Sequence, residues 1–208
     1  MPVFTVLLGT GGRIGEILGL RWQDCDFENG IITIDHTVIY RLQDDGTCRL
    51  RITTPKTKAG IREIPMFDEV RAALLQEHTR QYRDGFNQTV IDGYSGFIFT
   101  NRYGGVLTAK SINHCIERIV RDYNAAEEEQ ARRERRRPML LPHFSAHHLR
   151  HTFCTRMCEN TSDTNTLKVI QEIMGHADIA TTMNVYTDLT RKKKQDAFAN
   201  LQGRFRLN

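Results

Sequence analysis

His147, Arg150 and His151 share one face of a predicted helix within Ser145-Ala146-His147-His148-Leu149-Arg150-His151-Thr152-Phe153, because helical residues three and four apart are neighbours. Such a face offers a guanidinium fork suited to an oxyanion and imidazoles able to take or give a proton near neutral pH. A solvated helix face would account for the charges, but less well for the core anchors Leu149 and Phe153 set among them. Further on, Ile173-Met174-Gly175-His176 ends another helix with Gly175 as its cap, and Tyr186 follows ten positions later. A lone tyrosine is ordinary packing. Its hydroxyl titrates near pH ~10, so only a cationic surround would make it a nucleophile at neutral pH. A second arginine, Arg13, stands in Thr10-Gly11-Gly12-Arg13-Ile14-Gly15-Glu16, just after glycines that predict a sharp backbone corner.

The elements that must hold these residues can be read from periodicity. Apolar residues from Val3 to Leu20 fall at helical spacing, broken by Gly9, Gly11 and Gly12, which predicts two helices meeting at that corner. The β-branched stretch from Gly30 to Ile39, the Asp45-Gly46 turn, Arg49 to Thr53 and Arg62 to Pro65 predict a small antiparallel sheet carrying the basic turn Pro55-Lys56-Thr57-Lys58. Asp68 is placed to cap a helix reaching about Tyr82, and Thr108 or Ser111 to cap another through Ile112, Ile116, Ile119 and Val120. The charge run from Ala125 to Pro138 reads as a solvated helix end or loop, with contact to phosphate as the other reading. Helical segments are predicted at Ala146 to Glu159, Thr166 to Met174 and Ile179 to Tyr186, then a basic tail helix at Thr190 to Leu201. The fold class expected is α+β: one mainly helical domain with a small three-stranded antiparallel sheet.

Composition sets bounds. The 208 residues are enough for one core, and 29 Lys and Arg against 25 Asp and Glu permit a polyanionic partner without demanding one. Five cysteines at irregular spacing are no disulfide framework, which favours a reducing cytosol. The apolar start, Val3 to Leu8, is too short to span a bilayer and has no basic lead-in, so neither membrane insertion nor secretion is expected. Because the chain enters that run without a cap, it is expected to begin inside a domain.

The Arg13 box, His147-x-x-Arg150, Gly175-His176 and Tyr186, in this order and separation, resemble the tyrosine recombinases, or integrase family. The resemblance covers nearly the full chain, since Thr54-Pro55-Lys56-Thr57 is similar to the family's lysine-bearing hairpin and Arg62-Glu63-Ile64-Pro65 to the strand after it. It implies a catalytic domain, residues 1–208, lacking the core-binding and arm-binding domains that precede it in full recombinases. It also implies a site-specific recombinase in which Tyr186 attacks a phosphodiester, Arg13 and Arg150 hold the phosphate, and Lys56 protonates the leaving oxygen. His147 would accept or orient the tyrosine proton, His176 would donate to the phosphate, and Glu16 would support Arg13. Lys58 is left as a DNA-backbone contact or a solvated turn residue. Double-stranded DNA is the implied partner, with a homo-oligomer, a tetramer on DNA, for the full-length protein and a monomer for the fragment. The implied compartment is the bacterial cytosol, at the nucleoid. No cofactor and no metal are implied, as the fixed cations would serve the transition state and no Gly-x-x-x-x-Gly-Lys-Ser/Thr loop is present.

Two departures from the family pattern stand out: Gly12 replaces a more usual apolar residue, and the spacing from His176 to Tyr186 is one longer than in some members. Three rivals remain at this level. A zinc site could draw on His143, His147, His148, His151, Cys154 and Cys158, although no CxxC pair and no catalytic glutamate accompany them. A type IB topoisomerase-like enzyme would use similar groups, and a non-catalytic DNA-binding protein could keep the same fold. The basic tail reads as a helix packed in cis or on a neighbouring protomer.

Overall fold

A computed structural model describes residues 2–55, 58–161, 164–176, 178–187, 191 and 195, with the backbone alone at 58 and 164. The chain opens with α1 (Pro2–Thr10) and α2 (Ile14–Gly19), the two predicted helices, separated by the turn at Gly11–Arg13. Thr10 makes the corner: its hydroxyl donates to the Val6 carbonyl at 2.6 Å and accepts from the Gly12 amide at 3.2 Å. Gly11 sits at φ +61°, and a Cβ there would lie 2.3 Å from the Phe153 ring, so glycine serves both the backbone and the packing.

Five short strands follow: β1 (Cys25–Asp26), β2 (Ile31–Ile34), β3 (Thr37–Leu42), β4 (Cys48–Thr53) and β5 (Arg62–Pro65). The three-stranded antiparallel sheet runs β1-β2-β5, with Ile32 opposite Ile64 and Ile34 opposite Arg62. The β3–β4 hairpin forms a separate two-stranded sheet. The stretch that reads as one strand from Gly30 to Ile39 is therefore divided at Asp35-His36. His36 is buried there, with Nε2 2.8 Å from the Gly19 carbonyl and Nδ1 bonded to the Asp35 carboxylate. Beyond that anchor, Val38, Leu50 and Ile52 pack with Ile91, Phe97 and Val106 in a small cluster of their own. The hairpin thus serves a different core from β2, which is why β5 pairs with β2 and not with β4.

α3 (Asp68–Asp84) buries Val70 and Leu74, and Asp68 lies in its first turn, after Phe67 as N-cap. α4 (Ala109–Glu134) starts at Thr108, whose hydroxyl accepts from the Ser111 amide at 3.1 Å while Ser111 Oγ accepts from the Thr108 amide at 3.0 Å. α5 (Ala146–Glu159) has the predicted bounds, α6 is Thr164–Met174, and residues 179–187 are helical. The predicted tail helix falls almost entirely outside the described residues. No described helix is long and apolar enough to cross a membrane.

The main core gathers Val6, Leu7, Ile17, Leu18, Ile32, Ile64, Leu74 and Ile112 between α1, α2, the three-stranded sheet, α3 and α4. A second cluster, Phe153, Cys154, Cys158, Leu167, Ile170 and Met174, joins α5 to α6, and Met183, Val185 and Tyr186 pack against it. Ile173 touches both. At the seam between these clusters Arg13 and Arg150 meet the carbonyls of Gly11, Met174 and Gly175.

Candidate functional site

Arg150 crosses the seam. It projects from α5 with only 5% of its surface exposed, and donates from Nη1 to the Gly11 carbonyl at 2.6 Å and from Nη2 to the Met174 carbonyl at 2.5 Å. One planar guanidinium thus ties the α1–α2 corner to the end of α6, a task that needs its two-pronged geometry. Burial, and then the charge of Arg13, lower its pKa to about 10, so it remains cationic at neutral pH.

Arg13 lies beside it and is half exposed. Its Nη1 donates to Glu16 Oε1 at 2.9 Å and its Nη2 to the Gly175 carbonyl at 3.0 Å, while its amide donates to Glu16 Oε2 at 2.8 Å. Glu16 is buried and bound from its other side by Arg62, with Nη2 to Oε2 at 2.7 Å and Nη1 to Oε1 at 3.2 Å. Burial alone would raise the pKa of this carboxyl, but the hydrogen bonds and charge of Arg62, together with the bonds from Arg13, outweigh it and hold the pKa down. Three guanidinium groups therefore face one carboxylate, and the cluster keeps two uncompensated positive charges.

Arg62 does not stand out as a site residue in the sequence. It sits on the inward face of β5 with Ile64 and also donates to the Ile173 carbonyl at 2.7 Å and the Gly60 carbonyl at 3.2 Å. A signal is nevertheless present: strand alternation puts residue 62 on the apolar face with residue 64, and a buried arginine requires partners. Gly175, at φ +62°, clears the space, since a Cβ there would meet Arg62 Nη1 at 2.9 Å and the Ala59 carbonyl at 3.0 Å.

His176 follows that turn. Its amide donates to the Gln171 carbonyl at 3.1 Å, and its Nδ1 lies 2.9 Å from Thr182 Oγ1 on the helix that carries Tyr186. Burial, then the charges of Arg150, Arg13 and Arg62, press its pKa down to about 4, so the ring is neutral at pH 7. His147 lies exposed in the first turn of α5, edge-on to His151 with ring centroids 4.6 Å apart. Partial desolvation and then His151 and Arg150 lower its pKa too, leaving a neutral imidazole able to accept a proton. Tyr186 is half-buried against the second cluster.

The structure thus joins Arg13, Glu16 and Arg150 to the Gly175-His176 turn, places His147 one turn before Arg150, and hangs the Tyr186 helix on His176. Lys56 lies outside the described residues, and Lys58 is described only as the start of the turn Lys58–Gly60. Of the residues considered for zinc, His147 and His151 lie edge to face, His148 bonds Ser145 at the start of α5, and Cys154 and Cys158 are buried in the apolar cluster. Among the described residues, the grouping close enough to share an ion is Asp24, Asp35 and His36, and the Asp24 carboxylate is already bound by Arg21 at 2.7 and 3.1 Å.

The Phage integrase family model matches residues 2–193. The chain is 38% identical over 185 residues to the transposase from transposon Tn916 of Enterococcus faecalis, covering 89% of this chain and 41% of that protein. It is 27% identical to a XerC-like tyrosine recombinase of Caldanaerobacter subterraneus subsp. tengcongensis, covering 98% of this chain and 49% of the relative. Among solved structures it is similar to the Tn1549 transposon integrase in complex with circular intermediate DNA, with a TM-score of 0.74, 34% identity and coverage of 94% of this chain and 59% of that one. The chain spans about half the length of the relatives it matches.

Proposed function

The chain belongs to the phage integrase family of tyrosine recombinases and corresponds to their catalytic domain, and from that premise we propose that it cleaves and rejoins double-stranded DNA at specific sites. Tyr186 Oη attacks the scissile phosphorus, its proton passing to His147. The bond from phosphorus to the 5′ oxygen breaks, and Lys56 supplies the proton that makes the leaving group a 5′-hydroxyl. The product is a 3′-phosphotyrosyl link, which a 5′-hydroxyl of a second strand reverses. Because the link conserves the energy of the phosphodiester, rejoining uses neither ATP nor another cofactor. Arg13 and Arg150 hold the non-bridging oxygens, His176 donates to the phosphate, and Glu16 keeps Arg13 in place. Lys58 contacts the DNA backbone nearby.

The observation that carries this reading is the preassembled cationic corner. Arg150 and Arg13 are fixed to the carbonyls of Gly11, Met174 and Gly175, so their charge is placed before any substrate arrives. Cations held in a partly desolvated site stabilise a developing phosphorane charge without reorganising at the moment of reaction. The relatives named for transposons, one of them solved with circular intermediate DNA, support a mobile element as the context. The full-length protein would bring further DNA-gripping domains, assemble as a tetramer on DNA and act at the nucleoid in a bacterial cytosol.

The test is a nicked duplex carrying the joined ends of the element that encodes the protein, offered to the full-length protein and to Tyr186→Phe. A covalent protein–DNA adduct is expected from the first and none from the second. An adduct from the phenylalanine variant would remove Tyr186 as the nucleophile.

A further inference from the structure

Thr182 has no exposed surface and lies on the helix over residues 179–187, four residues before Tyr186. A buried hydroxyl has to give its proton to an acceptor, because an unmade bond in the interior costs about 1–3 kcal/mol. Helical threonines usually give it to the carbonyl four residues back. Thr10, Thr79 and Thr152 do so here, to Val6, Leu75 and His148 at 2.6, 2.9 and 2.9 Å. Thr182 differs. Among the described residues its hydroxyl partner is His176 Nδ1 at 2.9 Å, and it makes no bond there to the carbonyl four residues back, that of Asp178.

The direction of that bond decides what the other side of the ring can do. Half-buried beside Arg150, Arg13 and Arg62, His176 is neutral at pH 7 and carries one ring proton. If the threonine donates to Nδ1, the proton sits on Nε2, the nitrogen on the far side of the ring. We propose that Thr182 is a positioning residue that fixes His176 in its Nε2–H tautomer, so that the ring offers the scissile phosphate a donor and not a lone pair. This rests on the recombinase reading for its purpose, but the tautomer itself is a property of the free protein. Since the threonine is one helical turn from Tyr186, docking the helix that brings the nucleophile also sets the donor.

The tautomer can be read directly by long-range ¹H–¹⁵N correlation on the 208-residue chain labelled with ¹⁵N-histidine, at pH 7.5. In the wild type and in Thr182→Ser, which keeps the hydroxyl, Nδ1 of His176 is expected unprotonated and Nε2 protonated. Thr182→Val keeps the shape and removes the donor, and is expected to show Nδ1 protonated in part or in full. A protonated Nδ1 in the wild type would overturn the assignment, and so would an unchanged pattern in a folded valine variant. If the valine variant does not fold, the wild-type and serine spectra still decide. In the full-length protein on the nicked duplex, Thr182→Val should slow adduct formation by about tenfold and Thr182→Ser by no more than about twofold, below the roughly 10²–10³ typical of deleting an oxyanion donor outright. Failure of Tyr186 as the nucleophile would sink the recombinase reading and leave the tautomer result standing.

Discussion

Two regions of this molecule are dense in arginine and glutamate, and they differ in what holds them. At the end of α4, Glu127 and Glu134 meet Arg136 while Glu129 meets Arg132 and Arg133, all at the surface but for the largely covered Glu127. There charge answers charge, and Arg136 together with the Met139 amide pulls the Glu127 pKa down to about 2. In the corner made by Arg13, Glu16, Arg62 and Arg150, arginines outnumber the carboxylate and spend their remaining donors on backbone carbonyls. Water screens the first region and is largely kept from the second. Net charge is a weak guide to a site, and uncompensated charge held by backbone is a strong one.

The largest effect is expected from Arg150→Lys. The charge survives, but an ammonium cannot span the Gly11 and Met174 carbonyls as the fork does. Adduct formation on the nicked duplex is expected to slow by about 10²–10³-fold, as for loss of an oxyanion donor. Urea denaturation should show a loss of about 1–3 kcal/mol, the cost of one buried acceptor left without a partner. Wild-type rates in the lysine variant would mean that charge alone suffices and that the fork geometry is incidental.

The corner is only partly legible in the sequence. Arg13, Glu16, Arg150 and His176 can be found because their boxes, in order and separation, resemble the integrase family, while α5 runs over its expected residues because caps and helical spacing are local. Arg62 escapes because its role depends on Glu16 and Ile173, which lie 46 and 111 positions away. The division of the sheets also escapes. Periodicity runs unbroken from Ile31 to Ile39, and only the burial of His36 against the Gly19 carbonyl, 17 residues off, explains why the chain leaves one core for another. At the surface, Ala125 to Pro138 reads as a solvated end or a phosphate contact; α4 carries helix through Glu134, with Arg133 paired to Glu129.

A second, smaller effect follows from the neutral His176. Its folded pKa, about 4, lies below the usual value of 6.5, so the unfolded chain binds the proton first as pH falls. The sign follows: the unfolded state gains protons between pH 6.5 and 4, and stability contributed by the neutral ring is present above that window and lost through it. Denaturation midpoints measured from about pH 7.5 to 4.5 should fall more steeply for the wild type than for His176→Asn. Parallel curves would mean that neither burial nor the arginines press on this ring, which would weaken the case for a charged, water-poor corner.

The smallest effect is expected at the other region, from Arg132→Gln together with Arg133→Gln. These side chains are 78% and 70% exposed, and their pairs with Glu129 exchange freely with water. Removing them should shift Tm by no more than about 3 °C, since exposed pairs of this kind contribute at most about 0.5 kcal/mol each and salt screens them. The informative measurement is the salt dependence of DNA binding by the full-length protein. If α4 is only a solvated arm, the slope of log K against log salt concentration is unchanged. If the two arginines touch phosphates, the slope falls by about two, near one for each phosphate no longer neutralised. That outcome would extend the DNA-facing surface from the buried corner to the end of α4, and the difference between the regions would then lie in how they hold phosphate.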